Sequence, residues 1–240
     1  MLSARELNRP AAKNAKRRAN ELLLRVYSSI VLGALALAAT WAGGTVFALF
    51  WLVAAIGVLW EWTRMSSLRP LWLAAGMIYA SVFLVSMLLL RNDPRLGLVA
   101  LIWLFALIWT ADIAAYFTGR AFGGPKLWPS VSPNKTWSGA LGGTLGGLVA
   151  GAATLAAAGL SLRPVHVVVM LAVVIAAQLG DLMESAIKRR FGVKDSSQLI
   201  PGHGGLMDRC DSLVVAAAVA LSIGWARAGM NAPAEGLLLW

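Results

Sequence analysis

Apolar stretches recur along this chain at about residues 22–40, 44–60, 71–90, 97–118, 139–160, 165–187 and 212–229. Each is close to the roughly 20 residues that an α-helix needs to cross the hydrocarbon core of a bilayer. Backbone N–H and C=O groups find no water in hydrocarbon, so such runs fold as helices that satisfy their own hydrogen bonds. The sequence therefore predicts an all-α fold: a polytopic integral membrane helical bundle of about seven transmembrane helices. Composition agrees, since 59% of the 240 residues are hydrophobic and only 13% charged, far from a soluble average. Breaks such as Ala42-Gly43-Gly44 and Asn92-Asp93-Pro94 separate the runs. Three regions follow: a basic segment at 1–21, N-terminal transmembrane helices over 22–95, and a second transmembrane region over 96–240 with polar loops at 119–138 and 188–211.

Lys and Arg divide unevenly between the two ends of these runs. With the N-terminus placed in the cytoplasm, 17 of the 21 fall on that side, against Arg91, Arg95, Arg163 and Arg227 on the other. Positive charge accumulates on the cytoplasmic side of membrane proteins. The N-terminus and both polar loops are thus expected inside, and Trp240 outside. The same asymmetry accounts for the net charge of +10, so no nucleic-acid partner is expected. The basic residues Arg5, Arg9, Lys13, Lys16, Arg17 and Arg18 read as a topological anchor, or as a surface helix on anionic headgroups. The many later spans favour an uncleaved first helix over a signal peptide. One cysteine, Cys210, excludes an internal disulfide. Gly139, Gly143, Gly147 and Gly151, at four-residue intervals, predict a close helix-packing face.

Charge is costly in or beside hydrocarbon, so the polar stretch from Gly180 to Asp211 marks a candidate site. On a helix Asp181, Glu184, Ser185 and Lys188 share one face. Asp208 and Asp211 form an i,i+3 pair at the start of the last long run. Clustered carboxylates repel unless a cation intervenes, and hard oxygen ligands suit Mg²⁺ held by one or two carboxylates and substrate phosphates. Asp181, Asp208 and Asp211 are the candidate metal ligands. Against this stands the bland reading, in which Glu184 and Lys188 are an i,i+4 pair and Asp208 is a helix cap. Between the carboxylates, Pro201-Gly202-His203-Gly204-Gly205 can bring backbone N–H groups close to an anion. Lys188, Arg189, Arg190, Lys194 and Arg209 surround that turn. These cations also serve topology, and His203 alone is weak evidence. A P-loop motif is absent from the sequence.

A second cluster begins with Asp112, Tyr116, Gly119 and Arg120 on one helical face. The following loop places a turn signal at Ser132-Pro133-Asn134, then Lys135 and Thr136 before the next run. Most tryptophans read as interfacial anchors. His166 reads as incidental, and Glu61 as the partner of Arg64 in a helix-end ion pair.

Residues 185–211 resemble the signature of the phosphatidate cytidylyltransferases (CDP-diacylglycerol synthases). Ser185, Lys188-Arg189, Lys194-Asp195, Pro201, His203-Gly204-Gly205, Asp208-Arg209 and Asp211 carry the likeness, with Gln178-Leu179-Gly180-Asp181, Ser132 to Thr136 and Asp112 to Arg120 upstream. It covers about residues 110–213. The chain departs at Cys210, where an apolar residue or Thr is usual, and at Ser138, where an acidic residue is common. The chain is also short for the family. The resemblance implies transfer of the cytidylyl group of CTP to phosphatidic acid, giving CDP-diacylglycerol and pyrophosphate for phospholipid biosynthesis. It implies Mg²⁺ at Asp181 and Asp208, with Asp211 near a second cation, K⁺ or Mg²⁺. Lys188, Arg189, Lys194 and Arg209 would hold phosphates and Lys135 would neutralise substrate or pyrophosphate charge. Ser132, Thr136, His203, Gly204, Gly205, Asp112 and Tyr116 complete the expected substrate-binding set. Implied partners are CTP, phosphatidic acid and membrane lipid; a homodimer stays open. The implied setting is a bacterial inner membrane with the site facing the cytoplasm. A CTP-dependent kinase of a membrane lipid alcohol is the alternative enzyme, and an ion-coupled transporter using Asp112 and Asp181 the alternative non-enzyme.

Overall fold

A computed structural model describes residues 23–24, 26–67, 69–200 and 204–240. The basic N-terminal segment, Arg25 and His203 lie outside the described residues, and with them the expectations of an anchor and of a turn histidine. Seven helices match the seven apolar runs: α1 Val26–Ala42, α2 Gly44–Ser66, α3 Pro70–Arg91, α4 Gly97–Phe122, α5 Trp137–Ala157, α6 Pro164–Arg190 and α7 Met207–Ala228. The six from α2 to α7 are long and apolar enough to cross a membrane, while α1 is shorter. A final short helix, α8, spans Pro233–Leu238. The polytopic helical bundle is therefore as expected, but α2, α6 and α7 run past the apolar stretches. Their polar last or first turns are helical although hydropathy alone ends the spans earlier. Pro70 and Pro164 open α3 and α6 at the position where a missing N–H costs nothing.

The core gathers around Trp51 of α2, which meets Phe83 of α3 edge-on at 5.3 Å. Ala216, Ala217 and Ala220 of α7 are fully buried in the same core. The glycine stripe forms the expected packing face. A Cβ at Gly143 would lie 2.7 Å from Ala111 O, and one at Gly147 3.0 Å from Leu107 O. Helices α4 and α5 thus touch backbone to backbone, which only glycine permits at that separation.

The loop from α4 to α5 is a hairpin, β1 Lys126–Trp128 paired antiparallel with β2 Ser132–Thr136. Its turn lies at 129–131, so the expected turn at Ser132-Pro133-Asn134 is instead strand. The hairpin has only two strands, and both are edges, where the missing N–H of Pro133 is tolerated.

The end of the bundle away from this hairpin corrects the reading of His166. The ring is buried. Its Nδ1 accepts the Arg163 N–H at 2.9 Å, which leaves Nε2 to donate to Leu238 O at 3.0 Å. His166 therefore caps α6 and fastens α8. Asp93 does similar work there. Its Oδ1 accepts the N–H groups of Arg95 and Leu96 at 3.0 and 2.9 Å, and its Oδ2 accepts that of Glu235 at 2.9 Å. One carboxylate so satisfies orphan donors at the starts of both α4 and α8. Arg95 pairs with Glu235 at 2.9 Å, and Arg227 donates to Gly236 O and Leu239 O.

Candidate active site

Helix α6 carries Asp181, Glu184 and Lys188 along one face, as their spacing requires. Gly180 lets α7 approach, since a Cβ there would lie 2.7 Å from Asp211 O. That crossing brings Asp181 beside Asp211. Lys135, at the end of the hairpin, reaches across to form an ion pair with Asp181, and each side chain stays about one-third accessible (29% and 30%). Asp112 of α4 is exposed and lies within electrostatic reach of Asp181, Lys135 and Arg209. Asp211 in turn faces the charges of Asp181, Glu184 and Asp112. Residues separated by up to a hundred positions thus share one polar space where α4, α6 and α7 meet the hairpin.

Lys188 sits behind this space. It is buried, and its Nζ lies 2.6 Å from Glu184 Oε2 and 2.6 Å from Asp208 Oδ1. One cation so bridges two buried carboxylates. Glu184 Oε1 has no hydrogen-bond partner among the described residues. Asp208 is saturated by contrast. Its Oδ2 accepts the N–H groups of Gly205 at 2.8 Å and Ser196 at 3.0 Å, and lies 3.1 Å from the Ser196 hydroxyl oxygen, whose one proton is turned toward a nearer acceptor. The residue closes the loop between α6 and α7 at the first turn of α7.

The sequence reading missed the residue that holds this loop from outside. Glu61 is not the exposed partner of Arg64. It is fully buried, while the Arg64 guanidinium lies 4.9 Å over the Trp60 ring. Glu61 Oε1 accepts the Ser197 hydroxyl at 2.6 Å and the Leu206 N–H at 2.8 Å. Its Oε2 accepts the Ser196 hydroxyl at 2.8 Å and the Met207 N–H at 2.7 Å. An anion at the start of α7 also complements the helix dipole. A local i,i+3 pattern suggested Arg64 as its partner; the true donors stand 135 to 146 positions away.

The two glycines of the signature serve this packing. Gly204 has φ +86°, and a Cβ there would lie 2.8 Å from Asp208 Oδ2. A Cβ at Gly205 would overlap Ser196 Oγ and lie 2.6 Å from Glu61 Oε2. The faces left open by missing side chains are filled by carboxylates of the chain itself.

The other expected residues divide by what occupies their polar atoms. Arg189 donates to Val131 O at 3.3 Å and Val193 O at 2.9 Å, tying the hairpin to the α6–α7 loop. The buried Thr136 hydroxyl accepts the Gly139 N–H at 3.1 Å and so caps α5. Ser138 donates to Gly123 O. Tyr116 accepts from Arg120 at 2.9 Å on the exposed side of α4. Lys194 and Arg209 are exposed and Ser132 is half-buried. Among the described residues, no three His, Cys, Asp or Glu side chains close on one point as a complete metal cage. Fewer protein ligands suffice where substrate phosphates and water supply the rest. The half-exposed Asp181 and Asp211, with Asp112 beside them, are carboxylates with coordinating capacity to spare. Asp208 has little.

Comparisons with known proteins agree on one family. A model of the cytidylyltransferase family matches residues 68–225. The phosphatidate cytidylyltransferase of Brucella suis is 39% identical in an alignment 251 positions long that takes in 83% of this chain and 92% of that protein. That of Rickettsia bellii is 35% identical, covering 83% and 89%. That of Haemophilus influenzae is 48% identical over 130 residues, covering 52% and 45%.

Proposed function

This chain belongs to the cytidylyltransferase family, and on that premise we propose how its own residues perform the reaction. The protein is a membrane enzyme that transfers the cytidylyl group of CTP to phosphatidic acid, giving CDP-diacylglycerol and pyrophosphate. A phosphate oxygen of the lipid bonds to the α-phosphorus of CTP, and the bond from that phosphorus to the β-phosphate bridging oxygen breaks. The attacking group is already an anion, so no strong base is needed. Positioning and charge neutralisation supply the rate.

The observation that carries the assignment of residues is the open group of Asp112, Lys135, Asp181 and Asp211. Lys135 and Asp181 are about one-third accessible (29% and 30%), Asp112 is exposed and Asp211 half-buried, and among the described residues one ion pair, Lys135 with Asp181, matches charge within the group. Lys135, Lys194 and Arg209 have free or accessible cationic heads and bind phosphate oxygens. Lys188 and Arg189 are engaged by the protein and set the shape of the site. Asp181 and Asp211, with Asp112 as neighbour, would hold Mg²⁺. The orphaned Glu184 Oε1 and the clustered carboxylates fit a cation there, and a second one, K⁺ or Mg²⁺, would draw on the same group. Bound Mg²⁺ would neutralise the phosphate chain and the departing pyrophosphate. Asp208, which sequence alone made a ligand, holds the loop. The site faces the cytoplasm of a bacterial inner membrane with the N-terminus inside, on the strength of the Lys and Arg asymmetry. Tags at the two ends should be accessible from opposite sides in sealed cells.

The decisive assay supplies purified protein with CTP, phosphatidic acid and Mg²⁺. Label from the α-phosphate should enter lipid as pyrophosphate is released. Label entering lipid from the γ-phosphate alone would instead make the protein a CTP-dependent kinase.

A further inference from the structure

We propose that Glu61 is a positioning residue for the nucleotide: it clamps the α6–α7 loop from α2 and so sets the geometry in which that loop meets the triphosphate of CTP. The proposal rests on the function above and adds a residue that lies before the family-matched segment 68–225. Apart from Glu61, every side-chain hydrogen bond to residues 193–207 among the described residues comes from the loop itself or from its flanking helices α6 and α7. Among the described residues, Glu61 alone ties the loop by side-chain hydrogen bonds to a distant part of the chain. It does so with both oxygens and at both arms, Ser196 and Ser197 on one and Leu206 and Met207 on the other.

No cation neutralises Glu61 among the described residues, and four donors hold it. A buried carboxylate is stable in such a place only if its donors are fixed. The clamp therefore works in both directions. The loop solvates the anion, and the anion fixes the spacing of the loop's two arms. The residues so spaced include Lys194, Asp195, Gly204 and Asp208. Gly205 is the mark of this arrangement, since any side chain there would collide with Glu61 and Ser196.

Glu61→Gln tests the proposal with almost no change of volume. Each oxygen of Glu61 meets one hydroxyl and one backbone N–H, so the new NH₂ group faces a backbone donor whichever way the amide turns. Hydrogen exchange of the Leu206 and Met207 amides should rise about tenfold or more, with α3 to α5 unchanged. Turnover should fall about ten- to a hundredfold. The KM for CTP should rise while that for phosphatidic acid stays within about twofold. Glu61→Asp, which keeps the charge on a shorter arm, should recover part of both effects. If Glu61→Gln does not fold, Ser197→Ala removes one of the four donors and should shift the same two readouts in the same direction. Wild-type KM and turnover in folded Glu61→Gln would overturn the proposal. So would faster exchange spread evenly over the bundle, which would make Glu61 a general stabiliser. A wild-type protein without cytidylyl transfer would defeat the function itself, and the exchange measurement would still report whether Glu61 grips the loop.

Discussion

At the end of the bundle where α3 turns into α4, every prominent polar group has a match. Asp93 accepts three backbone N–H groups, Arg95 pairs with Glu235, His166 joins α6 to α8, and Arg227 holds the carbonyls of α8. At the other end Asp112, Asp181 and Asp211 lie within reach of one another's charge with Lys135 paired to Asp181, and Glu184 keeps an oxygen without a partner among the described residues. Both ends lie at the rims of the same helices, and both contain buried carboxylates. The first is closed on itself, as a structural fastening must be. The second keeps carboxylate oxygens that the described residues leave unmatched. Burial of charge alone does not mark a site; unmatched charge does.

Four substitutions test this contrast. Lys188→Met should do the most, because it leaves Glu184 and Asp208 buried without their shared cation. Removing one partner of a buried ion pair costs about 3–5 kcal/mol, read as a large fall in the unfolding midpoint in detergent together with lost turnover. Asp181→Asn should separate the two quantities. Turnover should fall about 10²–10³-fold while the midpoint barely moves, since both members of its ion pair are already accessible. A folded Asp181→Asn protein with full turnover at limiting Mg²⁺ would remove the metal assignment. Asp93→Ala should do the reverse, costing about 1–2 kcal/mol through two lost caps with turnover per folded molecule unchanged. Arg95→Gln, at an ion pair whose arginine is 69% exposed, should cost less than about 1 kcal/mol. If Asp93→Ala reduced turnover as deeply as Asp181→Asn, the two ends would not be functionally distinct.

Much of this was legible in the sequence because its signals are local. Apolar length announced α1 to α7, and the four-residue glycine period announced the α4–α5 seam. The face shared by Asp181, Glu184 and Lys188 followed from helical spacing. What escaped was set by partners far along the chain. Glu61 has an arginine three positions on, so a local ion pair was the natural reading, and only α7 packing against α2 shows the real donors. His166 finds its partner at Leu238 for the same reason. The N–H groups of Ser196 and Gly205 that meet Asp208 were likewise out of sight, because spacing registers only its charge. Helix α8 has six residues, too few for periodicity to show.

The glycine seam between α4 and α5 also has a mechanical meaning. With only glycine on the α5 side, and mostly small residues such as Ala111, Ala114 and Ala115 facing it from α4, the pair has little room to slide or rock, and it behaves as one stiff beam. Asp112 lies on α4 and Lys135 on β2, just before α5 begins. Their partner Asp181 is on α6, whose grip on the beam includes hydrogen bonds from Gln178 to Ala140 O and Thr144 Oγ1. A movement at the joint between α5 and α6 would therefore act first on the Lys135–Asp181 ion pair, which spans it.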